Sequence, residues 1–198
     1  EIASRWKDII ARHGPTAILP YSYLGTEGIL NGLNVGDPFF NKLGATVSER
    51  TFCDSGASTG YMMTVGPSPG TDPESFVHSK YIILWACNTL STNLHHWPFI
   101  AEAQKRGAKV VVVDPVRSRT AEKADWHIPI KPGTDGALAM GMMNVIISEG
   151  LVDRDYVANH TVGYEELVQR ALEYPPEKCA EWTGIPADDI RKLAREYA

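Results

Sequence analysis

Several segments of the chain carry apolar residues at every third or fourth position, the spacing that places them on one face of an α-helix. The first begins at Ile2 and ends before Gly14 and Pro15, two residue types that stop helices. In a later segment Thr134 is expected to cap the helix and Gly150 to close it. The pattern predicts helices over residues 2–13, 38–43, 56–65, 95–106, 134–149, 164–173 and 187–197.

Two runs of consecutive apolar residues, Tyr81–Trp85 and Lys109–Val113, predict buried strands. The second contains four successive valines, which is typical of a parallel strand covered on both faces. Because a predicted helix lies between them, the two strands form a βαβ unit. The expected fold is therefore α/β, one domain over residues 1–198 with a doubly wound, mostly parallel, Rossmann-like sheet flanked by helices. Shorter strands are predicted over residues 16–21, 47–52 and 128–130.

Composition and charge exclude several classes of protein. With 198 residues, 43% of them hydrophobic, and a net charge of −5, the chain can bury a core and has no basic face for nucleic acid. No apolar run approaches the roughly 18 residues of a membrane helix, so direct membrane insertion is not expected. Three widely spaced cysteines form neither a disulfide framework nor a zinc cluster. Both ends lie within helical patterns, which suggests a piece of a larger protein.

Ligands of open α/β sheets bind beside the carboxyl ends of the strands, so the loops after the predicted strands are candidate sites. Asp114 follows the valine strand, where a carboxylate accepts hydrogen bonds from ribose hydroxyls or simply starts a turn before Pro115. Arg117, in the same loop, suits a phosphate or is a solvated surface charge. Asp135 begins a predicted helix, where it either complements the helix dipole or accepts from the two donors of a guanine.

Two further segments carry candidate chemistry. Residues 87–93 lack the Gly-x-Gly-x-x-Gly pattern of nicotinamide dehydrogenases, which disfavours a plain NAD module. The amide and hydroxyl groups of Asn88, Thr89 and Ser91 can still hold a polar ligand of another design. Cys53 is either a buried thiol or, given the small polar residues after it and its predicted place at a strand end, a ligand for a soft metal ion.

Four motifs occur in the order and spacing of a known group of enzymes: CDSGASTG at residues 53–60, WACN at 85–88, VVVVDP at 110–115 and KPGTDG at 131–136. Together they make the chain resemble the molybdopterin oxidoreductases of the dimethyl-sulfoxide-reductase superfamily. That superfamily includes formate dehydrogenases, periplasmic nitrate reductases and polysulfide reductases. The resemblance extends over nearly the whole chain.

The resemblance implies a bis-molybdopterin guanine dinucleotide cofactor that holds molybdenum or tungsten, together with a 4Fe–4S cluster in a preceding segment. Cys53 matches the metal ligand, and Asp54 occupies the position where formate dehydrogenases carry a proton-moving histidine. That substitution puts formate oxidation in doubt, although Asp54 can itself take a proton if it is partly desolvated. The implied dinucleotide contacts are Asn88, Thr89, Ser91, Asp114, Pro115, Arg117, Thr120, Gly133, Thr134 and Asp135.

The expected function is a two-electron redox reaction on a small substrate, with an iron–sulfur domain or subunit as the electron partner. We expect the 198-residue chain alone to be inactive, since it holds only part of the cofactor contacts. The alternative is a structural or electron-transfer subunit that keeps the fold without the pterin, like the large iron–sulfur subunit of respiratory complex I. A cytoplasmic location is expected, with the periplasm left open.

Overall fold

The computed structural model describes residues 1–21, 35–48, 53–67 and 70–198, with the side chains of Cys53 and Asp54 left out. These residues form two compact units, Glu1–Gly70 and Thr71–Ala198. The helices are α1 Ile2–His13, α2 Gly36–Leu43, α3 Cys53–Val65, α4 Thr89–Thr92, α5 Trp97–Lys105, α6 Asp135–Ser148, α7 Arg154–His160, α8 Tyr164–Leu172, α9 Pro176–Thr183 and α10 Ala187–Tyr197. The strands are β1 Tyr81–Trp85, β2 Lys109–Val113 and β3 Trp126–Ile128.

The described part of the first unit is helical. Trp6 of α1 lies 5.7 Å from Phe40 and 6.4 Å from Phe39 between ring centroids, so an aromatic cluster joins α1 to α2. The strand predicted over residues 16–21 is wrong, because Pro15–Ala17 is a 3₁₀ helix that begins at a proline. For the strand predicted over 47–52, residues 47 and 48 are not in a strand and the remaining four lie outside the described residues.

The second unit contains a three-stranded parallel sheet in the order β1-β2-β3. Val110 to Val113 of β2 are completely buried, as four successive valines predicted. Ile82 and Leu84 of β1 pack with α5 on one face of the sheet, while Ile83 and Trp85 pack on the other face, in the core that includes α6, α9 and α10. The α/β class is confirmed. The described strands follow one another in chain order and show no reversal of the doubly wound kind.

Two predicted boundaries in this unit need correction. The helix predicted over residues 95–106 begins at Trp97, because Pro98 favours the first turn of a helix. The strand predicted over 128–130 starts at Trp126 and ends at Ile128, and the polar His127 at its centre interrupts the apolar run that would have predicted it. Ile130 is buried in the core but lies beyond the strand.

Helices α6, α9 and α10 pack closely on the sheet. A Cβ added to Gly141 of α6 would lie 3.0 Å from Cys179 Sγ and 3.3 Å from Ile190 Cγ2, both on fully buried residues. Arg195 of α10 donates to both carboxylate oxygens of Glu149 at 2.7 Å, and these hydrogen bonds hold the pKa of Glu149 below its usual range. The absence of a side chain at position 141 therefore sets how closely these helices approach.

We expect Gly141→Val to lower the free energy of unfolding by about 1–3 kcal/mol, because the added methyl groups overpack a full core. Urea unfolding of the chain measures it. Gly136→Ala in the same helix is the control: its added Cβ has nothing within 4 Å, so stability should hold or rise by up to about 1 kcal/mol. Unchanged stability of Gly141→Val would contradict the close packing.

Candidate functional site

The carboxyl ends of the three strands meet at one edge of the sheet. Trp85, the last residue of β1, is the register partner of Val113, the last residue of β2, and Val113 is the partner of Ile128. Beyond the strand ends, Ala86 N donates to Val113 O at 2.9 Å and Asp114 N to Ile128 O at 3.2 Å. The loops after β1 and β2 therefore start side by side, as parallel strands require.

The backbone turns sharply where β1 ends. Ala86 has φ of +54°, and it is the one non-glycine residue with positive φ among the described residues. Such a conformation costs a residue with a Cβ roughly 1–2 kcal/mol. The turn directs the chain into Cys87, which is exposed, and into the polar segment that follows. Backbone strain of this kind is concentrated at functional loops.

A buried hydroxyl joins the loop after β1 to the loop after β2. Thr120 is completely buried, and its Oγ1 donates to Asn88 Oδ1 at 2.8 Å and accepts from Leu90 N at 3.0 Å. Thr89 is also buried, whereas Ser91 is exposed. Residues 89–92, expected as loop, form the one-turn helix α4. Thr120 thus holds the two loops together, Thr89 is buried within the loop after β1, and Asn88 and Ser91 lie nearer the surface.

Asp114 is held in a turn and keeps part of its carboxylate accessible. Its Oδ1 accepts from Val116 N at 2.8 Å, and its backbone carbonyl accepts from His127 Nε2 at 2.8 Å. The side chain is half-buried, whereas Pro115 and Arg117 are exposed. The turn expected from Asp114 is therefore present, and it leaves Oδ2 available to other donors.

Asp135 is fixed by a residue 50 positions away. It is the first residue of α6, its side chain is exposed, and its Oδ1 accepts from the indole Nε1 of Trp85 at 2.7 Å. Gly133 turns the chain into this helix with φ of +80°. Thr134 occupies the N-cap position of α6, as predicted, but its Oγ1 donates to Lys131 O at 2.7 Å and accepts no hydrogen bond from the first turn of the helix.

Cys53 and Asp54 belong to the other unit. They are the first two residues of α3, which begins three residues before the predicted helix over 56–65, and the residues directly before Cys53, where a strand was expected, lie outside the described part of the chain. Their side chains lie outside the described atoms, so their assigned roles stay predictions. Within the described stretches, no group of three or more His, Cys, Asp and Glu side chains is arranged to hold a metal ion. The same stretches contain no helix long and apolar enough to cross a bilayer.

Three features of the site were not predicted from the sequence: the Trp85 indole bond, the His127 bond and the strained Ala86. In the sequence Trp85 was visible as the end of an apolar strand and the first residue of the WACN motif, but the direction of its indole depends on the strand register. His96, which lies near the polar loop, packs edge-on against Phe76 with 4.4 Å between ring centroids, and its buried Nε2 has no hydrogen-bond partner among the described residues.

Comparison with protein families shows which family the chain belongs to. The family model described as molybdopterin oxidoreductase matches residues 1–176. The chain belongs to this family of oxidoreductases. Relatives include formate dehydrogenase H of Escherichia coli, 42% identical over 99 residues, which are half of this chain and 14% of that protein.

Relatives that match almost the entire chain include a probable oxidoreductase and a hydratase. The probable oxidoreductase YoaE of Bacillus subtilis is 45% identical over 99% of this chain and 29% of its own length. Acetylene hydratase of Syntrophotalea acetylenica is 36% identical over the whole chain and 27% of its own length. The solved structure of acetylene hydratase from Pelobacter acetylenicus has a TM-score of 0.67 and 36% identity over 98% of this chain and 26% of that one. The chain spans less than a third of the length of these relatives.

Thr120→Val should lower the free energy of unfolding by about 1–3 kcal/mol, because it leaves Asn88 Oδ1 and Leu90 N without their partner. Chemical denaturation measures the loss. Thr161→Val removes an exposed hydroxyl that donates to Val157 O, and as a control it should change stability by less than about 0.5 kcal/mol. Equal effects of the two substitutions would show that Thr120 does not join the loops.

Proposed function

We propose that the unit Thr71–Ala198 binds the guanosine end of a molybdopterin guanine dinucleotide in a molybdenum or tungsten oxidoreductase. The observation that carries the proposal is the exposed Asp135 carboxylate, held by Trp85 at the sheet edge where the Asp114 and Asn88 loops also start. Family membership supports a pterin cofactor, and the residues at this edge suggest which part of it the unit contacts.

The side chains at this edge fit a guanosine phosphate. Guanine presents the N1–H and the 2-amino group as adjacent donors, which one carboxylate, that of Asp135, can accept together. Oδ2 of Asp114, which accepts no hydrogen bond from the described residues, suits a ribose hydroxyl, and the exposed guanidinium of Arg117 suits a phosphate. Asn88, Ser91 and the backbone around Gly133 supply further polar groups. Thr89, Thr120, Pro115 and Thr134 act in this proposal by shaping the loops that carry the contacts.

The bound cofactor supplies two-electron redox chemistry at its metal ion. The task of this chain is to bind and orient it: Asp135, Asp114 and Arg117 fix the nucleotide end, and Cys53 offers a thiolate to the metal. Asp54, next to Cys53 in sequence, is proposed to hold or pass a proton. We also propose that the cofactor is the guanine dinucleotide form of molybdopterin, that two copies of it hold the metal ion, and that the complete protein carries a 4Fe–4S cluster.

The proposal for the complete protein rests on the length of its relatives. Because the relatives are more than three times as long as this chain, we infer that the substrate site and the electron path use segments in addition to these 198 residues. The 198 residues alone are then expected to be inactive. The electron partner is an iron–sulfur domain or subunit, and the substrate is a small molecule.

We expect the chain to bind GDP, which carries the guanosine and phosphates of the dinucleotide. Asp135→Asn should weaken that binding at least tenfold, because a side-chain amide cannot accept hydrogen bonds from both guanine donors at once. Isothermal titration calorimetry measures both affinities. Asp155→Asn, at another exposed aspartate in the first turn of a helix, is the matched control and should bind normally. A wild-type chain that binds no GDP would overturn the proposed nucleotide site.

In the complete oxidoreductase, Cys53→Ala should reduce turnover to background while the protein keeps its fold and its dinucleotide content, because the proposed thiolate ligand is lost. Steady-state rates and extraction of the cofactor measure the two quantities. Cys179→Ala removes a buried thiol of α9 that is not among the proposed contacts and is the control, with turnover per folded protein expected to be normal. Normal turnover and metal content in Cys53→Ala would refute the role of Cys53.

A further inference from the structure

The hydrogen bond between Trp85 and Asp135 joins the end of a strand to the start of a helix. The indole Nε1 donates to Asp135 Oδ1 at 2.7 Å, a short distance that is typical of a bond to an ionised carboxylate. Asp135 itself is exposed, so this bond does not satisfy a buried charge. A surface carboxylate is normally free to rotate in water, whereas this one has a fixed donor on one oxygen.

The donor is itself held rigidly. Trp85 ends β1, where its backbone pairs with Val113, and its ring packs against the buried core on the α6 face of the sheet. On the same side the ring borders an apolar cleft of about 350 Å³ that is also lined by Ile83, Met142 and Tyr197. Neither the backbone nor the ring can turn without losing these contacts. The direction of the indole N–H is therefore set by the sheet.

A fixed carboxylate has a definite set of free acceptor positions. An ionised carboxylate offers about four lone-pair sites, and the indole uses one of them on Oδ1. Both oxygens keep capacity for further donors, and the indole bond restricts the rotation of the carboxylate plane. Two adjacent donors of a planar base need both oxygens at once, so their binding depends on this orientation. A single donor depends on it much less, because either oxygen of a rotating carboxylate can accept it.

We propose that Trp85 is a positioning residue: it orients the Asp135 carboxylate so that this carboxylate discriminates guanine from bases that do not present two adjacent hydrogen-bond donors. The inference rests on the proposed function, because it assumes that Asp135 accepts from the base. It goes further in assigning base specificity to a residue that does not touch the nucleotide. Hypoxanthine, which lacks the 2-amino group, should benefit least from the fixed orientation.

The experiment compares the affinities of GDP and IDP for the wild-type chain, Trp85→Phe and Trp126→Phe. Trp126 is the matched control because it lies in the same sheet, with its ring against Lys109 and Lys192 and away from Asp135. Trp85→Phe should weaken GDP binding about tenfold and IDP binding much less, so that the GDP/IDP preference falls towards one. Trp126→Phe should retain the wild-type affinities and preference.

A second substitution covers the case in which Trp85→Phe fails to fold. Benzothienylalanine at position 85, introduced by codon suppression, keeps the shape of the indole and replaces its N–H with sulfur. It should lower the GDP/IDP preference in the same way. A ¹H–¹⁵N spectrum provides an independent check. The Trp85 indole resonance should differ in position between the wild-type chain and Asp135→Asn, whereas the Trp126 indole resonance should be the same in both.

The outcomes separate the two proposals. If the wild-type chain binds GDP, Asp135→Asn weakens it, and both Trp85 variants keep the wild-type GDP/IDP preference, the positioning role is wrong and the nucleotide site stands. If the wild-type chain binds no GDP, the proposed function fails, and this inference fails with it. Loss of preference in the benzothienylalanine protein, with normal binding by Trp126→Phe, supports the role of the indole N–H.

Discussion

The complete burial of β2 is the constraint on which the second unit depends. Val110 to Val113 have no exposed surface, so helices must cover both faces of the strand and its backbone groups must pair with strands on both sides. β1 and β3 satisfy that requirement in parallel. Their carboxyl ends are consequently fixed beside the end of β2, where Asp114 and the loop with Asn88 begin. The same burial that stabilises the sheet brings these polar side chains together.

Side-chain hydrogen bonds then order the polar edge. Thr120 bonds Asn88 across 32 residues of sequence, and Trp85 bonds Asp135 across 50. Exposed loops are otherwise free to vary in conformation, and these bonds restrict them at a small number of atoms. Thr120 restrains Asn88 from a fully buried position, and Trp85 restrains Asp135 from the margin of the core. The sheet therefore restricts the motion of polar groups that remain accessible to solvent.

The opposite edge of the sheet has a different character. There Tyr81 donates to Glu196, Lys109 pairs with the same carboxylate, and Lys109 and Lys192 lie over the ring of Trp126. Burial and the Glu196 hydrogen bond raise the pKa of Tyr81 above its usual range. These contacts join α10 to the sheet. The two edges thus separate stabilising charge pairs from the polar groups proposed to bind a nucleotide.

The sequence alone determined the βαβ unit, the double burial of the valine strand and the helical faces, because each follows from the local spacing of apolar residues. It failed at the strand expected over residues 16–21, where Pro15 starts a 3₁₀ helix, and at the start of β3, where the polar His127 interrupts the apolar run. It also selected Asp114 and Asp135 as candidates, and the family resemblance was confirmed. Only the tertiary structure decided which atoms meet. The bonds of Trp85 to Asp135 and of Thr120 to Asn88 depend on strand register and helix placement, which long-range packing fixes and local spacing cannot specify.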